Sequence, residues 1–356
     1  MIPNREIVVY KMLSANTNNL NFQVRISKKN SRESASYMRY SNKNAKRIII
    51  GIVLLTLFGL GTIGVDNSSQ NTVPLQKDDP VPSDKWFSNL DWSIIYEQSG
   101  IRNFHDAIEY GGNYTAAGRG GSNSVLMLKF NSSGDILVEK EINMPDGDYE
   151  EIYNIDIDEN GTIYAIGEIK GDYSDWTDDA FISKIHNETY DIEWTKLSNQ
   201  TAPAIYEHGR DIKFYEDNLY CIIQYENESS GYDEMLLEKR DLDGNLLQNS
   251  TFIVENRDVD PTSIVVNSSG TILISLNVED SPLEDVHILK YDTDLNFLGN
   301  FTYYCGPNTD NVEINKLLLD ENTDDLYAAG WMRNLTDGSH YQASVWKYDN
   351  TQSLQW

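Results

Sequence analysis

Downstream of residue 85, hydrophobic and polar residues alternate with a period of two, as in Ile155, Ile157 and then Ile163, Ala165. That period predicts half-buried strands. No helical period longer than two turns follows Val65. The alternation comes in five copies: a strand, a turn of Asn, Asp or Gly, then a second strand. The second strands are Tyr114–Gly118, Ile163–Gly167, Leu219–Ile223, Ile272–Leu276 and Leu326–Gly330. A third strand carries a lysine at one phase in every copy: Lys129, Lys184, Lys239, Lys290 and Lys347. Its stem is expected to pack on the strand face with a solvated amine, or to pair with the neighbouring copy. A polar turn and a fourth apolar stretch close each copy. Twenty-two tyrosines suit strands as well.

Four strands repeating every ~54 residues is the arithmetic of a propeller blade. One blade cannot bury both faces, and blades in a ring cover one another. The expected fold is all-β, a β-propeller of about five four-stranded blades over residues 86–356, preceded by one N-terminal transmembrane helix. Trp356 reaches the phase at which Trp92 and Trp194 enter a fourth strand. Asp91–Glu97 is therefore expected to supply the last blade's missing strand, unless the chain is a piece of a longer array.

Asp179-Ala-Phe-Ile-Ser-Lys184, running on to Ile192-Glu-Trp194, resembles the core of the β-propeller repeats of bacterial and archaeal cell-surface proteins. Ile155-Asp-Ile-Asp-Glu-Asn-Gly-Thr-Ile-Tyr-Ala-Ile-Gly167 resembles another segment of the same repeats. The other copies are degenerate, with Asn123-Ser-Val, Asp285-Val-His and Gln342-Ala-Ser in place of Asp-Ala-Phe. The resemblance implies architecture and a surface location. It implies no activity, because that family shares no catalytic residues.

The net charge of −28 divides unevenly. Residues 1–47 hold ten Lys or Arg and two acids, so they carry +8 and the remainder −36. Between them Ile48–Val65 runs 18 residues without a charge, about 27 Å as a helix and long enough for a thin bilayer. Basic residues stay cytoplasmic. The expectation is a basic tail (1–47), a membrane-lipid contact (48–65), a Pro-containing linker (66–85) and an extracellular body. A cleaved signal is the alternative, with Met38 as a second candidate start and 1–37 spurious; the body would then be secreted. Eleven Asn-X-Ser/Thr acceptors all follow the apolar run: Asn67, Asn113, Asn131, Asn160, Asn187, Asn199, Asn227, Asn249, Asn267, Asn300 and Asn334. They are candidate glycosylation sites. Cys221 and Cys305 allow one bridge or two buried thiols.

So acidic a body disfavours nucleic-acid binding. No phosphate loop, nucleophile elbow or zinc signature appears. Asp156–Gly161 and Asp241–Asn245 resemble the start of a calcium loop but lack the closing glutamate at its position. They read as strand-connecting turns, so no cofactor is expected, with Ca2+ the one candidate. The first strands should line a channel. Their ends gather His105, Asp106, Glu151, His208, Arg210, Asp211, Arg257, Asp258 and Glu313 as a candidate ligand-binding rim. The primary expectation is a non-catalytic binding or display module for an extracellular protein or glycan. The alternatives are a structural envelope component, or an exported glycan-active enzyme with its site at the channel mouth. Two carboxylates converging at a pocket floor, ~5–10 Å apart, would mark the enzyme.

Overall fold

The computed structural model describes residues 9–12, 90–94 and, with short gaps, 103–355. All its regular elements are strands. Strand β1 (Val9–Met12) pairs with β2 (Leu90–Ile94). Five antiparallel units follow. The first is β3 (Asn103–Tyr110), β4 (Asn113–Arg119), β5 (Val125–Asn131) and β6 (Ile136–Ile142). The second is β7 (Tyr149–Ile157), β8 (Ile163–Lys170), β9 (Asp178–Ile185) and β10 (Ile192–Leu197). The third is β11 (Ala204–Tyr215), β12 (Asn218–Asn227), β13 (Tyr232–Arg240) and β14 (Leu246–Phe252). The fourth is β15 (Val259–Val266), β16 (Ile272–Asp280), β17 (Leu283–Tyr291) and β18 (Phe297–Tyr303). The last is β19 (Thr309–Leu319), β20 (Leu326–Asn334) and β21 (His340–Tyr348).

Within each unit consecutive strands are neighbours, as short turns dictate. The turns use Asx side chains: Asp158 Oδ1 accepts from the Asn160 and Thr162 amides at 2.9 and 2.8 Å, and Gly161 supplies a φ of 88°. Asp241 Oδ1 does the same for Asp243 and Asn245. Four apolar clusters fill the spaces between units, such as that of Met127, Ile155, Ile163 and Phe181. Stacking of this kind buries both faces of the middle strands, which explains why β8 is buried along almost its whole length.

The innermost strands share a feature that the period-two pattern hides. Each carries an irregularity at the same place: Phe104/Asp106, Ile152/Asn154, Gly209/Asp211, Pro261/Ser263 and Ile314/Lys316. The extra residues are His105, Tyr153, Arg210, Thr262 and Asn315. A bulge bends its strand and re-aims side chains. It also explains a glycine within the second strand of three units, which runs on past the end expected from sequence. A Cβ on Gly118, Gly167 or Gly330 would lie 1.9, 1.9 or 1.8 Å from the carbonyl oxygen of Asn103, Glu151 or Glu313.

The units are tied by side chains reaching the next unit's backbone. Asp106 Oδ2 accepts from the Ile155 amide at 3.2 Å, Asp156 from Phe214 at 2.7 Å and Asp211 from Ile264 at 3.0 Å. The recurrent lysine splits its roles. Lys129 and Lys239 reach turns of the following unit, at Asn187 and Thr293. Lys184 and Lys347 pair within their own unit, with Glu193 and Asp325.

One expectation changes. Leu90–Ile94 pairs with Val9–Met12, so it does not complete the last unit; beyond β21 only the bridge Tyr348–Leu354 is described. A short strand satisfies its amides on whichever edge lies alongside, and the phase of Trp92 does not choose that edge. Cys221 is a free, buried thiol whose pKa burial pushes up. Residues 48–65 lie outside the described residues, as do Asn67, Asn199 and Cys305. No helix among the described residues is long and apolar enough to cross a membrane. Of the Asn acceptors, Asn160, Asn249 and Asn300 are exposed.

Candidate active site

The start of each innermost strand and the end of each second strand lie at the same end of their unit. The register pairs Asn103 with Arg119, Glu151 with Glu168, His208 with Gln224, Asp260 with Asn277 and Glu313 with Trp331. In the second unit this sets two glutamates directly across from each other, both nearly inaccessible at 5 and 2 % exposure. Like charges so placed repel. The neighbours show how the repulsion is met.

Each glutamate receives a histidine from a flanking unit. His105 Nε2 contacts Glu151, and His208 Nδ1 contacts Glu168. The Tyr149 hydroxyl donates to the other oxygen of Glu151. Burial alone would raise the pKa of Glu151; hydrogen bonds from His105 and Tyr149 and the charge of Arg119 outweigh it and hold it below the usual value. Lys170 Nζ lies 3.8 Å from Glu168 and 2.9 Å from Asp178. Burial opposes its charge, but Asp178 and Glu168 raise its pKa. Tyr153, the bulged residue of β7, packs edge-on against His105 at 5.1 Å. Burial raises the pKa of its hydroxyl, and the charges of Glu168 and Glu151 push it further.

Glu168, Asp178 and His208 offer ligand atoms within 4.8 Å of one another. One imidazole and two carboxylates suit a divalent cation. The Lys170 ammonium lies against both of these carboxylates.

A second cluster lies deeper. Asp211, at 2 % exposure, accepts from Ser263 Oγ at 2.9 Å and pairs with Lys316 Nζ at 3.2 Å. Burial raises the pKa of Asp106 to about 6, with Lys316 lowering it and Asp211 raising it. The ammonium of Lys316 stays charged because Asp211 and Asp106 outweigh its burial.

The rim expected from sequence therefore divides. His105, Glu151 and His208 converge. Arg210 lies beside them in the third unit, donating through Nε to Gln224 at 2.9 Å and pairing with Asp260 at 3.0 Å. Asp106 and Asp211 are structural ties below the mouth. Arg257 and Asp258 belong to the seam between the third and fourth units: Arg257 faces Asp285 at 3.9 Å and Asp258 accepts from the Asp233 amide. Glu313 holds the matching position of the fifth unit. Sequence reading missed Arg119, Tyr149, Tyr153, Glu168, Lys170 and Asp178. A signal for Glu168 was present: it follows the glycine ending the second strand, the position held by Arg119 and Trp331 in other copies.

No known protein family matches the sequence, and no curated protein matches it. Solved structures do share the fold. A protein of unknown function from Dyadobacter fermentans is 12 % identical, with a TM-score of 0.50, over 70 % of this chain and 93 % of that one. The GH43 endo-arabinanase from Bacillus licheniformis is 10 % identical, with a TM-score of 0.36, over 70 % of this chain and 95 % of its own. The Dos1 propeller is 12 % identical, with a TM-score of 0.40, over 69 and 66 %. The chain is all-β and propeller-like. At such identities the likeness is one of fold alone.

The expectation of a non-catalytic display module is corrected here. It rested on the lack of any catalytic constellation, because Glu151 and Glu168 stand 17 positions apart and only the strand register joins them. Solved structures that share the fold include glycoside hydrolases, among them α-L-arabinanases and a sucrose-6-phosphate hydrolase.

Proposed function

We propose that the five units close as the blades of a ring, and that its mouth hydrolyses glycosidic bonds in a glycan. The observation carrying this reading is the cross-strand pair Glu151–Glu168, each glutamate held by a histidine from another unit. Opposed residues have Cβ atoms ~4.5–5.5 Å apart. That spacing suits the double displacement of glycoside hydrolysis, in which carboxyl groups ~5–5.5 Å apart leave no room for a water and one of them is the nucleophile.

Their surroundings divide the work. Glu151, kept ionised by His105, Tyr149 and Arg119, attacks the anomeric carbon and displaces the leaving sugar oxygen, forming a glycosyl-enzyme. Glu168 donates a proton to the leaving oxygen and then takes one from the water that hydrolyses the glycosyl-enzyme, which frees Glu151 and restores the acid. Trp331 offers an aromatic face at the matching position of the fifth unit. The expected outcome is that Glu151→Gln and Glu168→Gln each lower release of reducing ends from a polysaccharide panel by 10²-fold or more. Release unaffected by both changes would refute the assignment.

The chain's position is proposed on charge. The −36 charge after residue 47 and exposed acceptors such as Asn249 support a body outside the cell, carrying glycans. Val9–Met12 pairs with Leu90–Ile94, so both ends of the apolar run lie on the body's side. Protease added to intact cells should digest the body; a body left intact would place it inside.

A further inference from the structure

Arg119 occupies in the first unit the position that Glu168 holds in the second: the residue after the second strand's glycine, at the mouth. Acids outnumber basic residues two to one in this protein, 56 against 28. A guanidinium here would be expected to find a carboxylate. Among the described residues none lies within ion-pair distance of Arg119. Its Nη1 donates to the Tyr149 hydroxyl at 3.1 Å, and its Cζ sits over the Tyr149 ring, 4.1 Å from the centroid. Its Nε–H is buried and has no acceptor. An unmet buried donor is costly, and stacking on an aromatic ring fixes the planar fork of this half-buried side chain. Lys170 Nζ lies 5.0 Å from the same ring centroid, so two cations share one tyrosine.

We infer that Arg119 anchors a carboxylate on the substrate, so that the mouth acts on an acidic saccharide built from uronate residues. The inference rests on the proposed glycan-cleaving role and names its substrate class. A carboxylate matches a guanidinium fork in two parallel hydrogen bonds. It would take the donors that the chain leaves unused, beside a lysine that adds attraction. Because Arg119 and the Glu151–Glu168 pair belong to adjacent units, the anchored carboxylate lies on a sugar next to the scissile bond, not on the bond itself. The rim's overall acidity argues for a basic or neutral ligand; the local pairing opposes this, since Lys170 and Arg210 form ion pairs with acids while Arg119 forms none and only its charge is felt at Glu151.

The test measures binding of hexagalacturonate and of its fully methyl-esterified form to the full-length protein, carried in the Glu151→Gln background so that no cleavage intervenes. The free acid is expected to bind at least ten-fold more tightly. Arg119→Met should abolish that preference, and Arg119→Lys, which keeps the charge but not the fork, should retain part of it. Equal binding of acid and ester overturns the inference, as does a preference that survives in Arg119→Met. Tighter binding of a sulfated hexasaccharide than of hexagalacturonate overturns the carboxylate assignment. Unfolding curves matching the parent's exclude loss of fold in the variants. A preference for the free acid in a protein that cleaves no glycan would sink the hydrolytic reading and leave the anchor standing; cleavage without the preference would do the reverse.

Discussion

At the residue scale, burial decides which acids are ordinary and which are not. Glu207 is 6 % exposed and its Oε2 has no hydrogen-bond partner. Desolvation, with the charges of Asp179 and Glu238, raises its pKa from 4.5 to about 7. The folded state thus holds this proton more tightly than the unfolded chain. Its contribution is present below pH 4.5 and is lost as pH rises through 7. Glu207→Gln removes the charge and keeps the shape, so it should stabilise the protein at pH 8 by about 1–3 kcal/mol and change little at pH 4.5. Thermal unfolding at the two pH values checks this, and an equal effect at both would contradict it. Asp106 follows the same sign between 3.8 and about 6. None of this was legible in the sequence, where Glu207 and Asp106 are two acids among 56.

At the scale of the element, the bulged inner strand is the unit that makes the site. Alternation in the sequence located the strands, and a glycine in the second strand of three copies was visible at 118, 167 and 330. Its reason was not. Alternation assumes one residue per step of the ladder, and an inserted residue leaves the hydrophobic pattern on either side intact. Close approach of a carbonyl across the bulge leaves no room for a Cβ at these positions. Gly330→Ala should therefore cost about 1–3 kcal/mol while turnover persists. Gly167→Ala should cost a similar amount and also abolish activity, because the displaced carbonyl belongs to Glu151. Urea midpoints and reducing-end assays on both proteins separate the two outcomes; loss of activity in both would detach the bulge from the site. The recurrent lysine teaches a related lesson. Its phase was plain in all five copies, yet Lys129 and Lys239 reach the next unit while Lys184 and Lys347 pair at home, since the partner depends on which turn the packing brings close.

For the whole molecule, the tie across units is electrostatic as well as apolar. Lys316 in the last unit pairs with Asp211 in the third and feels Asp106 in the first. Removing one partner of a buried pair strands the other charge. Lys316→Met should cost about 3–5 kcal/mol at pH 7, and less near pH 4, where Asp106 is protonated. A defect independent of pH would mean that lost packing of the lysine stem, not charge, carries the effect. The five-fold repeat in the sequence predicted the stacking that Lys316 spans. It did not predict which residues meet in the middle, because strands far apart in the chain supply one each.

The sequence by itself determined an all-β repeat architecture, the strand positions, the turns and the uneven distribution of charge, since each follows from local periodicity and composition. It also named His105, Glu151 and His208, because the starts of first strands lie at one end of every unit. The tertiary structure alone decided which acids become a pair. Glu168 joins Glu151 through the register of two strands, and the histidines arrive from units on either side. Periodicity fixes where a strand lies along the chain. Bulge, register and inter-unit packing fix which side chains share a space, and the chemistry depends on that.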